Sequence, residues 1–453
     1  TAAPAVAQSD YQTQASVIPV AADGGEPDAS VSAIAYTRAS ETERPVLFAF
    51  NGGPGASSTF LHLGVLGPYR VDVPVDPAAP LPQAIDTVPN NGGLLDVADL
   101  VFLDPPGTGL SSREGADPAR YNSVAGDATA VARAVVEWLE AHDRMNAPVY
   151  ILGESYGTIR AAAMLDAFAR MDHAPRIHGV VLLGQALNMV ETSQRPDNIV
   201  SHVVSLPTLA AIACYHGRTA QRCDPRQAAQ EAATFARAEY LDALFAGTRL
   251  DDETRKRIAD HLAELTGIDA DYFLANDLHI SKERFRVALM EGQGLVTGRY
   301  DARYTAPLAE DAGETVGPDA FTAVSNLYAQ AMPRYLARFG IVPDPQSYKV
   351  LADIEGEWSY GGADSPFADW PFMTSVERAA NRDACLRLFV GTGLFDLTTT
   401  VGAADYLLAQ SDLPADRVTS KTYDAGHMFY SDPQSREALL ADLRRFVTRG
   451  RCT

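Results

Sequence analysis

The chain has 453 residues, 46% of them hydrophobic and 21% charged, which is ample material for a core and excludes global disorder. Its 58 acidic against 37 basic residues give a formal net charge of −21, a balance that repels nucleic acid and anionic membrane surfaces and argues against both as partners. No apolar run approaches the ~20 residues of a membrane span.

The first eight residues, Thr1 to Gln8, end in a small-x-small pattern like the tail of a trimmed secretory signal. The corresponding expectation is an exported protein, periplasmic or secreted, with an ordinary Ala-rich terminus as the competing reading. From about residue 30 to 190, strand and helix signals alternate. Pro45 to Phe50, Leu100 to Leu103, Val149 to Leu152 and Gly179 to Leu183 are short apolar runs of the buried-strand kind, and Val124 to His142 has helical spacing. Such alternation predicts an α/β class protein with a mostly parallel central sheet and helices on both faces.

From about 191 to 375 the pattern turns to amphipathic helices: Arg226 to Ala246, Asp251 to Leu265 and Asp319 to Phe339. Strand signals resume at Leu386 to Val390, followed by a helix at Ala403 to Ala409, a strand at Arg417 to Tyr423 and a closing helix from Ser435 to Thr448. The predicted organisation is a core over 1–190, a helical cap over 191–375, and the rest of the core over 376–453. Pro74 to Pro82 reads as surface loop.

The chemistry centres on Gly153-Glu154-Ser155-Tyr156-Gly157, placed between a strand and a helix. Flanking glycines suit a tight, strained turn that exposes a serine Oγ at the rim of a sheet, with a helix N-terminus behind it. An ordinary Gly-rich β-to-α turn is the plain alternative. Acyl transfer from a serine also needs a base, an acid to orient it and donors for the oxyanion. Asp396 follows a strand in the Gly391 to Asp396 loop, and His427 follows the next strand in Asp424-Ala425-Gly426-His427-Met428. The order Ser, Asp, His is that of an α/β-hydrolase chain. Asp424 and Asp383 are the competing acids, while His62, His142 and His216 read as surface or core residues. Asn51 to Ser58, directly after the first strong strand, can aim backbone N–H groups at an oxyanion; a phosphate loop is excluded because no Lys follows at the required place. No metal-binding spacing is present, and no cofactor is implied.

Four cysteines form an even set. The expected pairs are Cys214 with Cys223 and Cys385 with Cys452, one of three possible connectivities, with four reduced thiols as the competing state.

The segments Asn51 to Ser58, Asp104 to Ser111, Gly153 to Gly157, Asp396 and Gly426-His427-Met428 together resemble the successive signatures of the serine carboxypeptidases, peptidase family S10. The Gly426 to Tyr430 ending and the Gly298 to Tyr304 stretch are most similar to the bacterial branch. The resemblance implies an α/β-hydrolase fold with a helical cap, and removal of one C-terminal residue from a peptide through an acyl-enzyme. It assigns the triad to Ser155, Asp396 and His427, and the oxyanion hole to the N–H groups of Gly53 and Tyr156. The substrate carboxylate falls to Asn51, Gly52 and Glu154. It also reveals a gap: the second Glu that pairs with the one before the serine is absent, and its place falls at Val65. Without that partner Glu154 ionises more readily, whereas desolvation beside Val65 opposes ionisation, so carboxylate recognition is expected to be weakened or rebuilt. The same triad also suits an amidase, esterase or acyltransferase acting on a small amide or ester; a catalytically silent binding protein has no use for it. Oligomeric state is not written in the sequence.

Overall fold

The computed structural model describes residues 10–22, 25–40, 43–83, 85–113, 115–195, 197–219, 222–309, 319–341, 347–352, 354, 358–361 and 372–449. The signal-like residues 1–8 and Cys452 lie outside this set.

Eight strands form one sheet: β1 (Gln12–Val20), β2 (Ala29–Thr37), β3 (Val46–Phe50), β4 (Asp99–Asp104), β5 (Val149–Glu154), β6 (Ile177–Leu183), β7 (Arg387–Gly393) and β8 (Val418–Tyr423), in the spatial order β1-β2-β4-β3-β5-β6-β7-β8. From β4 to β8 every pairing is parallel, whereas β2 runs antiparallel to both β1 and β4. Every residue of β3, β5 and β6 is buried, as expected of strands covered on both faces. The β1–β2 hairpin is the element that the sequence reading missed. β1 opens on the polar Gln12-Thr13-Gln14, carries Pro19 within its apolar end and has an exposed face, so it does not read as the buried, uninterrupted apolar run of β3 to β7.

Two helices cover the elbow side. α1 (Val124–Ala141) starts at Ser123, whose side chain accepts from Gly126 N, and α2 (Tyr156–Phe168) follows Ser155 directly. Their apolar residues Val131, Val135, Trp138, Ile159 and Met164 share one core with Phe48, Val101, Ile151 and Val180 of the strands. Between β6 and β7, adjacent parallel neighbours in the sheet, the chain leaves for about two hundred residues. The helices of this excursion divide between two cores. α3 (Ile199–Tyr215), α4 (Pro225–Phe235) and α5 (Asp252–Thr266) pack together, with Leu394, Phe395, Leu397 and Val401 of the β7 side. α6 (Thr322–Ala337) instead buries Leu327, Met332 and Tyr335 against Leu61, Val65 and Phe102. Asp224 and Asp251 cap α4 and α5 by accepting from Gln227 N and Thr254 N. α7 (Val401–Ala409) links β7 to β8, and α8 (Pro433–Arg449) ends the described chain.

Cys214 at the end of α3 is disulfide-bonded to Cys223. The second expected pair cannot be followed, because Cys452 lies outside the described residues. Parallel strands put the loops after β3, β5, β6, β7 and β8 on one rim, where open α/β sheets carry ligand sites.

Candidate active site

Ser155 occupies the turn between β5 and α2 with φ 58° and ψ −128°, a region that few residues with a Cβ adopt. Its N–H donates to Leu183 O at 2.9 Å and its carbonyl accepts from Thr158 Oγ1 at 2.6 Å, so neighbouring structure holds the strained geometry. The loop after β3 lies directly on this turn. A Cβ on Gly52 would fall 2.5 Å from Tyr156 N and 2.7 Å from Glu154 O, an approach open only to glycine.

Behind the turn, the buried Arg160 guanidinium ties the two loops together. Nη1 donates to Asn51 O at 2.6 Å and Nε to Asp127 Oδ2 at 2.7 Å, while Tyr156 OH donates to the same Asp127 oxygen at 2.9 Å. The guanidinium also lies 5.2 Å from the ring centres of both Phe50 and Tyr156. On the far side of the loop, buried Asp104 accepts from Ser58 N at 2.8 Å and Ser58 Oγ at 2.7 Å. Gly53, at φ 100°, follows Gly52 in this loop, and Tyr156, first residue of α2, has no intrahelical acceptor for its N–H.

His427 and Asp396 meet at the same rim. Asp396 Oδ2 lies 2.6 Å from His427 Nδ1, and both side chains are buried. Asp396 also accepts from Thr398 N at 2.7 Å, Thr399 N at 3.1 Å and Thr399 Oγ1 at 2.5 Å. The carboxylate is thereby saturated with donors and held in one orientation. The competing acids pair elsewhere: Asp383 with Arg176 and Asp424 with Arg226. Burial pushes the His427 imidazolium down, but the charge and hydrogen bond of Asp396 push further up, and the net position is above the ordinary histidine range. His427 Nε2 has no hydrogen-bond partner among the described residues, and Ser155 Oγ is not bonded to it. Both residues line one cavity of about 460 Å³. Catalytic hydrogen bonds of this kind commonly tighten only in the complex with substrate.

Glu154 lines the same cavity. Its Oε2 accepts from Asn51 Nδ2 at 2.6 Å and from Tyr430 OH at 2.7 Å. The orientation of the Asn51 amide is fixed from its other end, since Leu61 N–H donates to Oδ1 at 3.0 Å. Complete burial drives the Glu154 carboxyl up to about 7, against the lowering effects of His427, Tyr430 and Asn51. The direction left open by the sequence is therefore upward. Val65, where a second carboxyl was looked for, is buried in the apolar core; the phenol of Tyr430 takes over as the neighbour of Glu154. Tyr430 ends the Gly426 to Tyr430 run, but nothing local in that run connects it with Glu154, 276 residues earlier.

Space for that phenol comes from Gly64, where a Cβ would lie 2.3 Å from Tyr430 Cε2. Helical propensity alone would make Gly64→Ala stabilising by up to about 1 kcal/mol. The overlap is expected to reverse the sign and cost about 1–3 kcal/mol, read from urea unfolding midpoints; an unchanged or raised midpoint would contradict this packing.

The sequence model of the serine carboxypeptidase family matches residues 33–193. A serine carboxypeptidase-like 50 protein of Arabidopsis thaliana is 33% identical over 118 residues, 25% of this chain and 24% of that protein. The chain thus matches about a quarter of the length of this curated relative. Among solved structures, the Kex1(Δ)p prohormone-processing carboxypeptidase from Saccharomyces cerevisiae superposes with a TM-score of 0.58 at 13% identity, covering 97% of this chain and 91% of that one. The chain has an α/β-hydrolase fold. The family model spans the stretch that carries the Asn51, Asp104 and Ser155 motifs, and both sequence comparisons point to the serine carboxypeptidases over part of the chain. Asp396 and His427 lie beyond the residues that the family model matches, and what brings them together is their 2.6 Å hydrogen bond.

Proposed function

We propose that the protein is a serine-type carboxypeptidase that releases one C-terminal residue from a peptide through an acyl-enzyme on Ser155. The observation that carries this reading is the presence, in one cavity, of a serine and histidine pair and a buried carboxyl held by Asn51 and Tyr430. In the proposed reaction His427 Nε2 takes the proton from Ser155 Oγ as the oxygen attacks the scissile carbonyl, and Asp396 stabilises the imidazolium that results. Gly53 and Tyr156 N–H groups receive the oxyanion. His427 then protonates the leaving amine, and water repeats the sequence on the acyl-enzyme.

Glu154 and its two donors supply selectivity for a free C-terminus. Both donors act on Oε2, while Oε1 has no hydrogen-bond partner among the described residues. When Glu154 is protonated, the proton therefore belongs on Oε1, where it can be donated to a substrate carboxylate. A neutral carboxyl is suited to this task; an ionised one repels the substrate. Tyr430 contributes without adding charge, and in this respect the carboxylate subsite is rebuilt. Export of the protein is part of the proposal and is supported by the Cys214–Cys223 bridge.

Mass spectrometry of a peptide pool tests the reading. C-terminal laddering is expected, strongly slowed when the peptides are C-terminally amidated. Equal turnover of blocked esters and amides without laddering would favour an esterase or amidase using the same triad.

A further inference from the structure

The segment Gly298 to Tyr304 belongs to the excursion between β6 and β7, yet it is bonded to both loops that carry the triad's acid and base. Leu397 N donates to Arg299 O at 3.1 Å and Ala302 N to Phe395 O at 3.0 Å, on either side of Asp396 in the acid loop. On the other side, His427 N donates to Tyr300 O at 2.5 Å and Gly426 N to Asp301 Oδ2 at 3.1 Å. Two consecutive residues of the segment thus hold the backbone of two consecutive residues of the histidine loop. The approach is close: a Cβ on Gly426 would fall 2.3 Å from Tyr300 O and 2.4 Å from Asp301 Cβ.

Asp301 is itself fixed by a buried ion pair. Arg303 Nη2 donates to Asp301 Oδ2 at 2.7 Å, and Arg303 Nε to Oδ1 at 3.0 Å. From there the guanidinium reaches back to the histidine loop, with Nη1 3.2 Å from Asp424 O and 3.8 Å from Asp432 Oδ2. The outer end of the segment is anchored independently. Asp319 Oδ2 accepts from Arg299 N, Arg299 Nε bonds Glu283 Oε1 at 2.7 Å, and His216 Nε2 lies 2.7 Å from Ala302 O at the end of α3. None of these groups belongs to the reaction described above.

We propose that residues 298–304 form a strap that sets the position of His427 relative to Asp396 and Ser155, with Asp301, oriented by Arg303, as the positioning residue. This rests on His427 acting as the base of Ser155. The physical argument is one of leverage. His427 is anchored through one ring nitrogen only, Nδ1, which meets Asp396 Oδ2 at 2.6 Å and Thr399 Oγ1 at 3.4 Å, and its Nε2 is unpartnered among the described residues. Where the ring lies along the line to Ser155 is decided by its own backbone, and that backbone is held by Tyr300 O and, through Gly426, by Asp301. A misplacement of about 1 Å in such a group costs on the order of 10²-fold in rate.

The test uses a fluorophosphonate probe, whose reaction with Ser155 needs the triad but no particular peptide. Asp301→Ala is expected to slow labelling about 10²-fold and to lower kcat similarly with little change in KM. Asp301→Asn, which keeps an acceptor for Gly426 N–H, should restore most of the rate. The low-field proton NMR signal of the His427–Asp396 hydrogen bond should shift or broaden in the Ala variant. Should Asp301→Ala not fold, Arg303→Lys replaces it, with about tenfold slower labelling expected and the same NMR signal perturbed. Wild-type labelling rates and an unmoved NMR signal in a folded variant overturn the strap. A wild-type protein that the probe does not label at all overturns instead the triad beneath it, so the two failures are told apart.

Discussion

Ser155→Ala is expected to lower kcat by on the order of 10⁶-fold while KM changes by only a few-fold. The asymmetry follows from the site. The Ser155 side chain is half-buried at the mouth of the cavity, whereas the groups assigned to substrate binding, Asn51, Gly52 and Glu154, belong to other parts of the same rim. Alanine removes the atom that attacks and leaves those groups untouched. The neighbouring hydroxyl of Thr158 cannot substitute, because its Oγ1 is committed to Ser155 O and Ala186 N. Any remaining turnover would come from the oxyanion donors and positioning alone, on the order of 10³ to 10⁴ over water. Steady-state kinetics with a blocked dipeptide, together with loss of fluorophosphonate labelling, measure this. Retention of more than about a hundredth of wild-type kcat would refute Ser155 as nucleophile.

The second large effect is a pH dependence that Glu154→Gln removes. With its carboxyl raised by burial to about 7, Glu154 is neutral and donating below that pH and charged above it. KM for a free-acid substrate is therefore expected to rise through pH 7, approaching tenfold per unit on the alkaline side. The C-terminal amide of the same substrate should lack this limb. At the acid end the raised position of His427 limits the rate, since only the neutral imidazole can act as base. The two groups also couple through their charges, so the profile reports the pair. Glutamine keeps the geometry: its carbonyl can accept from Asn51 and Tyr430 while its NH₂ donates into the cavity at every pH. Glu154→Gln should thus bind free acids with a KM that is flat across neutrality.

Stability supplies an independent check. The folded state holds the Glu154 proton to about 7, whereas the unfolded chain releases it near 4.5. The native state thus takes up protons relative to the unfolded one in that window, and stability falls as pH rises from 4.5 to 7. The full difference is about 3 kcal/mol. Glu154→Gln should be more stable than wild type at pH 8 and not at pH 4. Equal pH dependence of unfolding in the two proteins would place the carboxyl elsewhere on the scale.

What could be read from the sequence was what is encoded locally. Buried strands announce themselves as apolar runs, so β3 to β7 and the parallel class of the sheet were legible, as was the Gly-flanked turn at Ser155. β1 was not, because this edge strand begins with three polar residues, exposes one face and interrupts its apolar end with Pro19. At the site, motif order pointed to Asp396 and His427, but their supporting groups come from distant or unmarked positions. Thr399 lies in an unremarkable run of threonines, and Asp301 lies 125 residues from Gly426. Val65 is the instructive position: counting along the chain located a missing carboxyl, yet only the folded protein brings Tyr430 to Glu154 and clears room for it over Gly64. Burial, which settles the charge of Glu154, is likewise a property of the whole assembly.

The strap also bears on how substrates come and go. Many enzymes with an excursion above the sheet rim use it as a lid that swings aside for each turnover. Here the excursion grips the histidine by its main chain, so a swing of this part would unlatch the base along with the door. Opening and chemistry would then be mutually exclusive states, and in the proposed reaction a peptide tail would enter and its released residue leave through the cavity beside α6, whose Thr322, Ser325 and Asn326 form part of its wall. Chain ends thread into such a passage; internal loops of a folded protein do not.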